Sequence, residues 1–235
     1  MRNKLICTRA DNNIKDMTDI THPIMKEYAE KCDADFLALV VDTDLPQRMP
    51  EQHFRILKFY DLFDKYDRIL GMDSDILISP HCPNIFDVVP EDKIGSVLED
   101  KGSRQNHRRD LIRQVQAKRQ DVGWTEGYIN TGVSVFSKMH REVFNVDKNN
   151  LWMEFGQDCV EIGYQIHRLG FEVYELDPKY NAMSMWMEPW YGLKKSDAYV
   201  LHFAGNGFHS NVSKIDEIKQ DKILFIDRAK YVNNY

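Results

Sequence analysis

Residues 66–78 read YDRILGMDSDILI, and this stretch decides the fold class. An apolar run ends at Met72, the aspartates Asp73 and Asp75 follow one residue apart, and the apolar pattern resumes at Ile76. Carboxylates between buried strands are costly unless a cation pairs with them. Two hard oxygen ligands at a strand end suit a divalent ion such as Mg²⁺ or Mn²⁺. We therefore predict that Asp73 and Asp75 hold a divalent cation, which can in turn bind a diphosphate.

The Asp-x-Asp motif by itself is weak, because it also occurs by chance. A second copy, residues 42–44, also follows an apolar run, but Leu45 and Pro46 come directly after it. That pattern is typical of a solvated loop, and we predict no metal there. The copy at Asp73 differs because apolar residues on both sides hold its carboxylates at a strand junction.

Apolar spacing in the first third of the chain alternates between the patterns of strands and helices. The predicted strands are 5–8, 36–41 and 68–72, and the predicted helices between them are 21–32 and 50–65. This alternation implies right-handed crossovers and a mostly parallel sheet. Ligands of such sheets bind beyond the carboxyl ends of the strands, where Thr8, Asp42 and Asp73 lie. We predict an α/β fold with a Rossmann-like central sheet flanked by helices.

The second half of the chain is more mixed. Strands are predicted at 128–136, 171–176 and 199–203, and helices at 151–169 and 213–231. Ser213 and Asp216 have the spacing of a capping box at the start of the last helix. The chain shows no internal repeat and no linker, so we predict a single domain over residues 1–235.

Composition excludes several classes of protein. The chain has 235 residues and a formal net charge of −6, which argues against general nucleic-acid binding. No apolar run approaches the roughly 20 residues of a membrane span, and the N-terminus lacks the apolar segment of a signal peptide. The 4 cysteines are scattered, so free buried thiols are expected. These features predict a cytoplasmic protein without a membrane span.

Three further segments accompany the paired aspartates. Asn130-Thr131-Gly132 opens an apolar strand, Gly156-Gln157-Asp158 precedes a helix, and residues 201–205 place His202 at a late strand end. In this order the motifs resemble those of GT-A-fold glycosyltransferases. The similarity is greatest to family 8, the glycogenin and bacterial galactosyltransferase type, with some similarity to family 34. It extends from about residue 5 to residue 205.

The resemblance implies a role for each matching residue. Asp73, Asp75 and His202 would hold Mn²⁺, or Mg²⁺, and Gln157 and Asp158 would lie beneath the reacting anomeric carbon as catalytic residues. The donor, a nucleotide sugar and most simply a UDP-hexose, would be bound by Thr8, Arg9, Ala10, Arg55, Lys58, Asp73, Ser74, Asn130, Thr131, Gly132 and Gly205. Residues 1–100 would form the half that binds the nucleotide sugar, and residues 101–235 the half that binds a glycan or glycoprotein acceptor.

Two features depart from the family pattern. Family 8 carries Lys-Pro-Trp shortly after its His-x-x-Gly, whereas Asn206 and Gly207 follow Gly205 here. Lys214, or a basic residue of 101–119, would have to contact the diphosphate instead. The Asp-Gln-Asp turn of the family has lost its first acid at Gly156. The resemblance still favours a retaining enzyme, although Asp158 could also act as a base in an inverting one.

Two other patterns allow both a functional and a structural interpretation. Residues 101–119 contain seven Lys or Arg and one acid. They form either a basic lid or an ordinary solvated helix. The lid would cover the diphosphate or contact an anionic acceptor. Trp186, Trp190 and Tyr191 form either an acceptor platform, because aromatic faces stack on sugars, or a packed loop.

Two alternative functions remain open at this level. A strand followed by Asp-x-Asp also describes the nucleophile loop of haloacid-dehalogenase-type phosphohydrolases, with Asp73 as the nucleophile and Asp75 as the acid/base. Against that, the motif does not open the fold and no Asp-Asp pair follows downstream. The other alternative is a non-catalytic module that binds nucleotide sugars or glycans.

Overall fold

The computed structural model describes residues 2–40 and 51–227, so residues 42–44 lie outside the described residues. The described strands are β1 (Lys4–Arg9), β2 (Asp35–Leu39), β3 (Arg68–Met72), β4 (Ile76–Ile78), β5 (Ile94–Leu98), β6 (Ile129–Ser137), β7 (Val173–Glu175) and β8 (Val200–His202). The described α-helices are α1 (Lys15–Lys31), α2 (Glu51–Phe54), α3 (Phe59–Leu62), α4 (Ile85–Val88), α5 (Gln105–Lys118), α6 (Gln157–Leu169) and α7 (Lys214–Lys222).

Six strands form the central sheet in the order β2-β1-β3-β6-β5-β7. All neighbours pair in parallel except β6, which runs antiparallel to both β3 and β5. The predicted α/β fold with a mostly parallel central sheet is therefore confirmed. β4 and β8 form a separate antiparallel pair beside it, which the sequence analysis did not predict.

Strand register places the polar motifs next to each other. Met72, the last residue of β3, is opposite Thr8 in β1 and opposite Val133 in β6. The backbone N–H of Asp73 then donates to the carbonyl of Gly132 at 2.9 Å. In the smaller sheet Ile76 is paired with His202. The ends of β3, β6 and β8 therefore meet around Asp73.

Apolar side chains cover both faces of the central sheet. Ile6 and Leu70 belong to a buried cluster with Met25 of α1, while their chain neighbours Leu5 and Ile69 belong to a second cluster that includes Phe59, Phe136 and Ile162. This alternation follows from the two-residue repeat of a strand. Burial of each such side chain contributes about 1.5–3 kcal/mol, so the sheet is a rigid support for the loops at its edge.

The predicted helix 50–65 is wrong as a single element. The chain forms α2, then a 3₁₀ turn over Arg55–Lys58, then α3. Arg55, Ile56 and Leu57 are all buried in the turn, whereas a helix on a sheet buries only one face. The Arg55 guanidinium donates to the carbonyl of Ala10, which ties this turn to the loop after β1.

Helix boundaries differ from the sequence predictions in three further places. α6 begins at Gln157 instead of 151, because Gly156 has a left-handed φ of 88° and Phe155 points away from the core. α1 begins earlier than predicted, at Lys15, because Met17 and Ile20 extend its apolar face, and Pro23 therefore lies inside the helix. The last helix is α-helical only to Lys222 and continues as a π-helix to Asp227.

Candidate active site

Asp73, Asp75 and His202 converge beside the carboxyl end of β3. Nε2 of His202 lies 3.4 Å from Oδ2 of Asp73 and 3.3 Å from Oδ1 of Asp75. One ligand atom from each residue lies within 4.8 Å of the other two. Ligand atoms about 2.1 Å from an octahedral ion are roughly 3 to 4.2 Å apart. This donor set, two carboxylates and an imidazole, therefore fits a divalent metal ion.

Asn181 orients the imidazole of His202. Nδ2 of Asn181 donates to Oδ1 of Asn130 at 2.8 Å, so Oδ1 of Asn181 is the atom that accepts from Nδ1 of His202, also at 2.8 Å. With its proton on Nδ1, the imidazole presents the Nε2 lone pair to the carboxylates, as metal ligation requires. Burial lowers the pKa of His202, but the carboxylates of Asp75 and Asp73 together outweigh it, and the net direction is upward.

Asn130 continues this chain of hydrogen bonds away from the metal ligands. Its Nδ2 donates to Oε1 of Glu99, and its Oδ1 also accepts from the backbone N–H of Gly132 at 2.8 Å. A continuous network of buried hydrogen bonds thus links Glu99, Asn130, Asn181 and His202. The predicted Asn-Thr-Gly motif therefore supplies a side chain that supports the metal site.

Gly132 allows the close approach of three polar groups. A Cβ atom at this position would lie 2.4 Å from Cε1 of His202, and 2.8 Å from both Oδ1 of Asn130 and Oδ2 of Asp73. Contacts this short are not tolerated, so any larger residue would displace the metal ligands. The glycine is required here by space, since its backbone conformation is an ordinary extended one.

Arg9 lies between two carboxylates. Its Nη1 donates to Oδ2 of Asp158 at 2.8 Å and to the carbonyl of His53 at 2.7 Å, and its Nη2 donates to Oδ1 of Asp73. The side chain of Arg9 is almost completely buried. A buried guanidinium with two carboxylate partners holds both in one geometry and offsets their mutual repulsion.

Asp158 is the first acidic residue of α6 and accepts three side-chain contacts. Besides Arg9, Thr131 donates its hydroxyl to Oδ2 at 2.8 Å, and Nδ1 of His53 lies 3.4 Å from Oδ1. Burial favours the protonated acid, but Arg9 and His53 outweigh it and hold the pKa of Asp158 at about 2. The hydrogen bond to Asp158, in turn, raises the pKa of His53. Asp158 is therefore a fixed anion at neutral pH.

Lys214, at the start of α7, reaches the same carboxylate cluster. Its Nζ lies 2.7 Å from Oδ2 of Asp75, while Oδ1 of Asp75 faces His202. Burial alone would raise the pKa of Asp75, but His202 and Lys214 lower it well below the usual range. The arrangement leaves a partly exposed ammonium group directly beside the candidate metal ligands.

These side chains line one open cleft of about 910 Å³. The predicted site residues that line it are Arg9, Asp73, Ser74, Asp75, Asn130, Thr131, Gly132, Gln157, Asp158, His202 and Gly205. A cleft of this size is in the range of ligand sites. The fold therefore brings most of the predicted residues to one place.

The model of glycosyl transferase family 8 matches residues 10–207. The chain belongs to glycosyl transferase family 8. It is therefore a glycosyltransferase. Family membership favours the transferase over the two alternatives, the phosphohydrolase and the non-catalytic module. No curated protein sequence matches the chain at a significant level.

Solved structures share the GT-A fold of this family 8 enzyme. A glycosyltransferase involved in the glycosylation of the major capsid of the virus PBCV-1 has a TM-score of 0.60 at 17% identity, covering 92% of this chain and 98% of its own. The galactosyltransferase LgtC, solved with donor and acceptor sugar analogues, has a TM-score of 0.60 at 14% identity, covering 92% and 94%. Mouse xyloside xylosyltransferase 1 has a TM-score of 0.53 at 10% identity, covering 86% and 98%.

Four of the predicted donor-binding residues are not among the described residues that line the cleft. Thr8 and Ala10 are buried at the end of β1, where the Thr8 hydroxyl lies 3.2 Å from that of Ser74. Arg55 is buried and supports the backbone of Ala10. Lys58 lines a separate cavity of about 140 Å³ with Tyr60 and other residues of that region. The donor-binding roles of these four residues in this family 8 enzyme stay predictions.

The predicted acceptor aromatics are placed differently from one another. Trp186 is 1% exposed, so the prediction that its ring forms a platform is wrong. Trp190 and Tyr191 are partly exposed, and Trp190 packs against the backbone of Gly102 and donates Nε1 to Glu188 at 3.0 Å. Neither residue is among those that line the cleft. Their role as a platform therefore stays a prediction, for an acceptor that extends beyond the cleft.

The structure adds functional candidates that sequence reasoning missed. They are His53, Glu99, His107, Phe155 and Asn181, whereas Arg104, which also lines the cleft, belongs to the basic segment 101–119 that the sequence had indicated. The polar strand end after β5, with Glu99, carried a signal that could have been used. Asn181 carried none, because its importance arises only from the folded position of its neighbours.

Among the described residues, no helix is long and apolar enough to cross a membrane.

Proposed function

We propose that the protein transfers a hexose from a UDP-hexose to a hydroxyl group of a glycan or glycoprotein, with Mn²⁺ or Mg²⁺ at Asp73, Asp75 and His202. The observation that supports this most strongly is the convergence of these three residues within one cleft that also contains Asp158. Family 8 membership supports the reaction class. The donor, the metal identity and the acceptor class are our proposals.

The charged residues around the metal ligands match the needs of a diphosphate leaving group. A bound divalent ion supplies Lewis-acid stabilisation of the charge that develops on the leaving diphosphate. Lys214 presents an ammonium at 2.7 Å from Asp75, in the cleft, and can contact a phosphate oxygen from there. Lys214 therefore replaces the lysine that the family places nearer its histidine.

Asp158 and Gln157 lie at the first turn of α6, on the floor of the cleft. A carboxylate with a pKa of about 2 is a weak proton acceptor at neutral pH, so Asp158 is poorly suited to act as a general base. Its fixed negative charge instead stabilises an oxocarbenium-like sugar. The fixed charge of Asp158 favours retention of anomeric configuration, with Gln157 as the neutral amide next to the reacting carbon.

We revise the predicted division of the chain into a half that binds the donor and a half that binds the acceptor. Residues 1–100 supply Arg9, Asp73 and Asp75, and four residues of 11–17 also line the cleft. Residues 101–235 supply His202 and Asp158 to the same place. We propose one domain in which both halves bind the donor. The cytoplasmic location stays a prediction of the sequence.

Calorimetric titration of UDP tests this function. We expect UDP to bind in Mn²⁺ and not in EDTA, and to bind at least tenfold more weakly to Asp75→Asn, because one metal ligand is lost. Asp110→Asn, an exposed carboxylate on α5, is the matched control and should bind like the native protein. A hydrolysis panel of UDP-hexoses then identifies the donor. Metal-independent binding, or no binding of UDP, would contradict the proposal.

A further inference from the structure

The wall of the cleft around the start of α5 is not explained by donor binding at the candidate metal ligands. We call the α5 wall the group Glu99, Arg104, His107, Arg108 and Phe155, all of which line the cleft. It contains one carboxylate, two guanidinium groups, an imidazole and an exposed aromatic ring. This combination has the features of a binding site for a second ligand.

The cations of residues 101–119 are paired with carboxylates, with one exception. The pairs are Lys101–Glu175, Arg108–Glu99, Arg109–Asp100, Arg113–Asp110, Lys118–Glu154 and Arg119–Glu161. Among the described residues, the carboxylate contact of Arg104 is a single one of 3.5 Å, to Oε2 of Glu99. The predicted basic lid is thus a largely neutralised helix from which Arg104 stands apart.

Glu99 has little capacity left for Arg104. The same Oε2 already accepts from Nε of Arg108 at 2.7 Å and faces its Nη2 at 2.6 Å, while Oε1 accepts from Asn130. The α5 wall therefore carries one positive charge more than its carboxylate balances. Arg104 is 30% exposed in its side chain, so its remaining N–H groups are accessible from the cleft.

His107 and Phe155 provide a polar donor and an apolar face beside this charge. Arg108 donates Nη1 to Nδ1 of His107 at 2.9 Å, which leaves the imidazole proton on Nε2 as a further donor. Phe155 is 59% exposed, its ring lies 5.1 Å from that of His107, and the Arg108 guanidinium lies 5.2 Å from its centre. The ring is thus held in place although one face is open to solvent.

We propose that the α5 wall binds an acceptor sugar that carries an anionic substituent, a carboxylate or a phosphate. The sugar ring stacks on Phe155, and Arg104 donates to the anion with the Nε2–H of His107 alongside. Charge balance carries the assignment, because a neutral acceptor would leave Arg104 with only its 3.5 Å contact to a Glu99 carboxylate that already pairs with Arg108. The role of this ligand as acceptor rests on the proposed function, but its binding does not.

Binding of small sugars without nucleotide tests the proposal. The probes are methyl β-D-glucuronoside and glucose 6-phosphate, compared with the neutral methyl β-D-glucoside, in NMR titrations of the full chain. We expect at least one of the two anions to bind about tenfold more tightly than the neutral sugar. One charged hydrogen bond supplies a difference in binding free energy of that size. The preferred anion distinguishes carboxylate from phosphate.

Three variants make the result specific. Arg104→Gln should remove the preference for the anion and leave the affinity for the neutral sugar unchanged. Phe155→Leu should weaken charged and neutral sugars by the same factor. Arg113→Gln, which changes an exposed arginine on α5, should bind like the native protein. Equal affinity of the native protein for charged and neutral sugars, or an unchanged preference in Arg104→Gln, would overturn the proposal.

A second titration separates acceptor from donor. UDP-glucuronate and UDP-glucose, each with Mn²⁺, should bind with the same affinity. A preference for UDP-glucuronate that disappears in Arg104→Gln would place the anion on the donor and overturn the acceptor assignment. If the protein binds sugar anions but no UDP, the proposed function fails while the anion site stands.

Discussion

Oδ1 of Asn181 accepts a hydrogen bond of 2.8 Å from Nδ1 of His202, and this bond decides which nitrogen of the imidazole faces the paired aspartates. Asn181 can accept it because its own amide nitrogen is committed to Asn130. The tautomer of a candidate metal ligand thus depends on a buried amide network. Outer partners of this kind commonly change metal affinity by about 10- to 100-fold when they are removed.

The first prediction concerns Asn181→Ala. Without the amide, the imidazole is free to change tautomer and orientation, Nδ1 of His202 loses its partner, and Oδ1 of Asn130 loses one of its two donors. We expect Mn²⁺-dependent UDP binding to weaken about 10- to 100-fold, and the free energy of unfolding to fall by about 1–3 kcal/mol. Calorimetry and urea denaturation measure the two effects.

The exposed residue Asn149 offers the control. Asn149→Ala should change neither quantity measurably. Native-like metal affinity in Asn181→Ala would show that the imidazole is oriented by other contacts.

The second prediction concerns Arg9→Gln. Arg9 is nearly buried and bridges Asp73 and Asp158, so its removal leaves the Asp158 anion without its main partner. Breaking one side of a buried ion pair costs about 3–5 kcal/mol, and the partial exposure of Asp73 places the expected loss at the lower end. Denaturant unfolding followed by circular dichroism measures it.

Arg2 also contacts two carboxylates, Glu30 and Asp33, but at an exposed site. Arg2→Gln should therefore lower the free energy of unfolding much less than Arg9→Gln does. Equal costs for Arg2→Gln and Arg9→Gln would contradict the bridging role assigned to Arg9.

The third prediction concerns Lys214→Gln. If Lys214 contacts the diphosphate, the variant should bind UDP about tenfold more weakly, while the affinity for uridine, which has no phosphate, should not change. Lys219→Gln, on the same helix, is the control because Lys219 pairs only weakly, at 3.9 Å, with Asp216. A parallel loss of uridine binding would indicate a general disturbance of the cleft instead of a phosphate contact.

The fourth prediction concerns the pH dependence of stability at His140. Its Nδ1 accepts from the backbone N–H of Ser137 at 3.0 Å, and Nε2 faces the carbonyl of Asp92 at 3.3 Å, so the neutral imidazole satisfies both. Burial lowers the pKa of His140 below its usual value. The folded protein therefore binds fewer protons here than the unfolded chain, and the stabilisation present above pH about 6.5 is lost as the pH falls through the folded pKa.

His140→Asn keeps an acceptor for Ser137 but does not titrate. The free energy of unfolding of the native protein, relative to this variant, should fall between pH 7 and pH 5, with a slope of at most about 1.4 kcal/mol per pH unit. Thermal or urea unfolding at several pH values measures the difference. A difference that is constant with pH would show that His140 does not change protonation on unfolding.

Local patterns predicted the fold well where one residue type dominates a strand. The mainly apolar runs 5–8 and 68–72 became β1 and β3, because a strand buried on both faces is mostly apolar. Helix ends and the broken helix after residue 50 were predicted poorly. Their form depends on contacts of Arg55 with Ala10 and on the left-handed backbone at Gly156, which no spacing reveals.

The sequence by itself determined the family, the α/β class and the candidate metal ligands Asp73, Asp75 and His202, because these depend on residue type at fixed places along strands. Only the tertiary structure decided that Arg9 bridges two carboxylates, that Asn181 orients His202 and that Arg104 is left with a weak partner. Each of these depends on distances between residues far apart in the chain. Such distances are set by packing and charge pairing over the whole fold, and no local pattern encodes them.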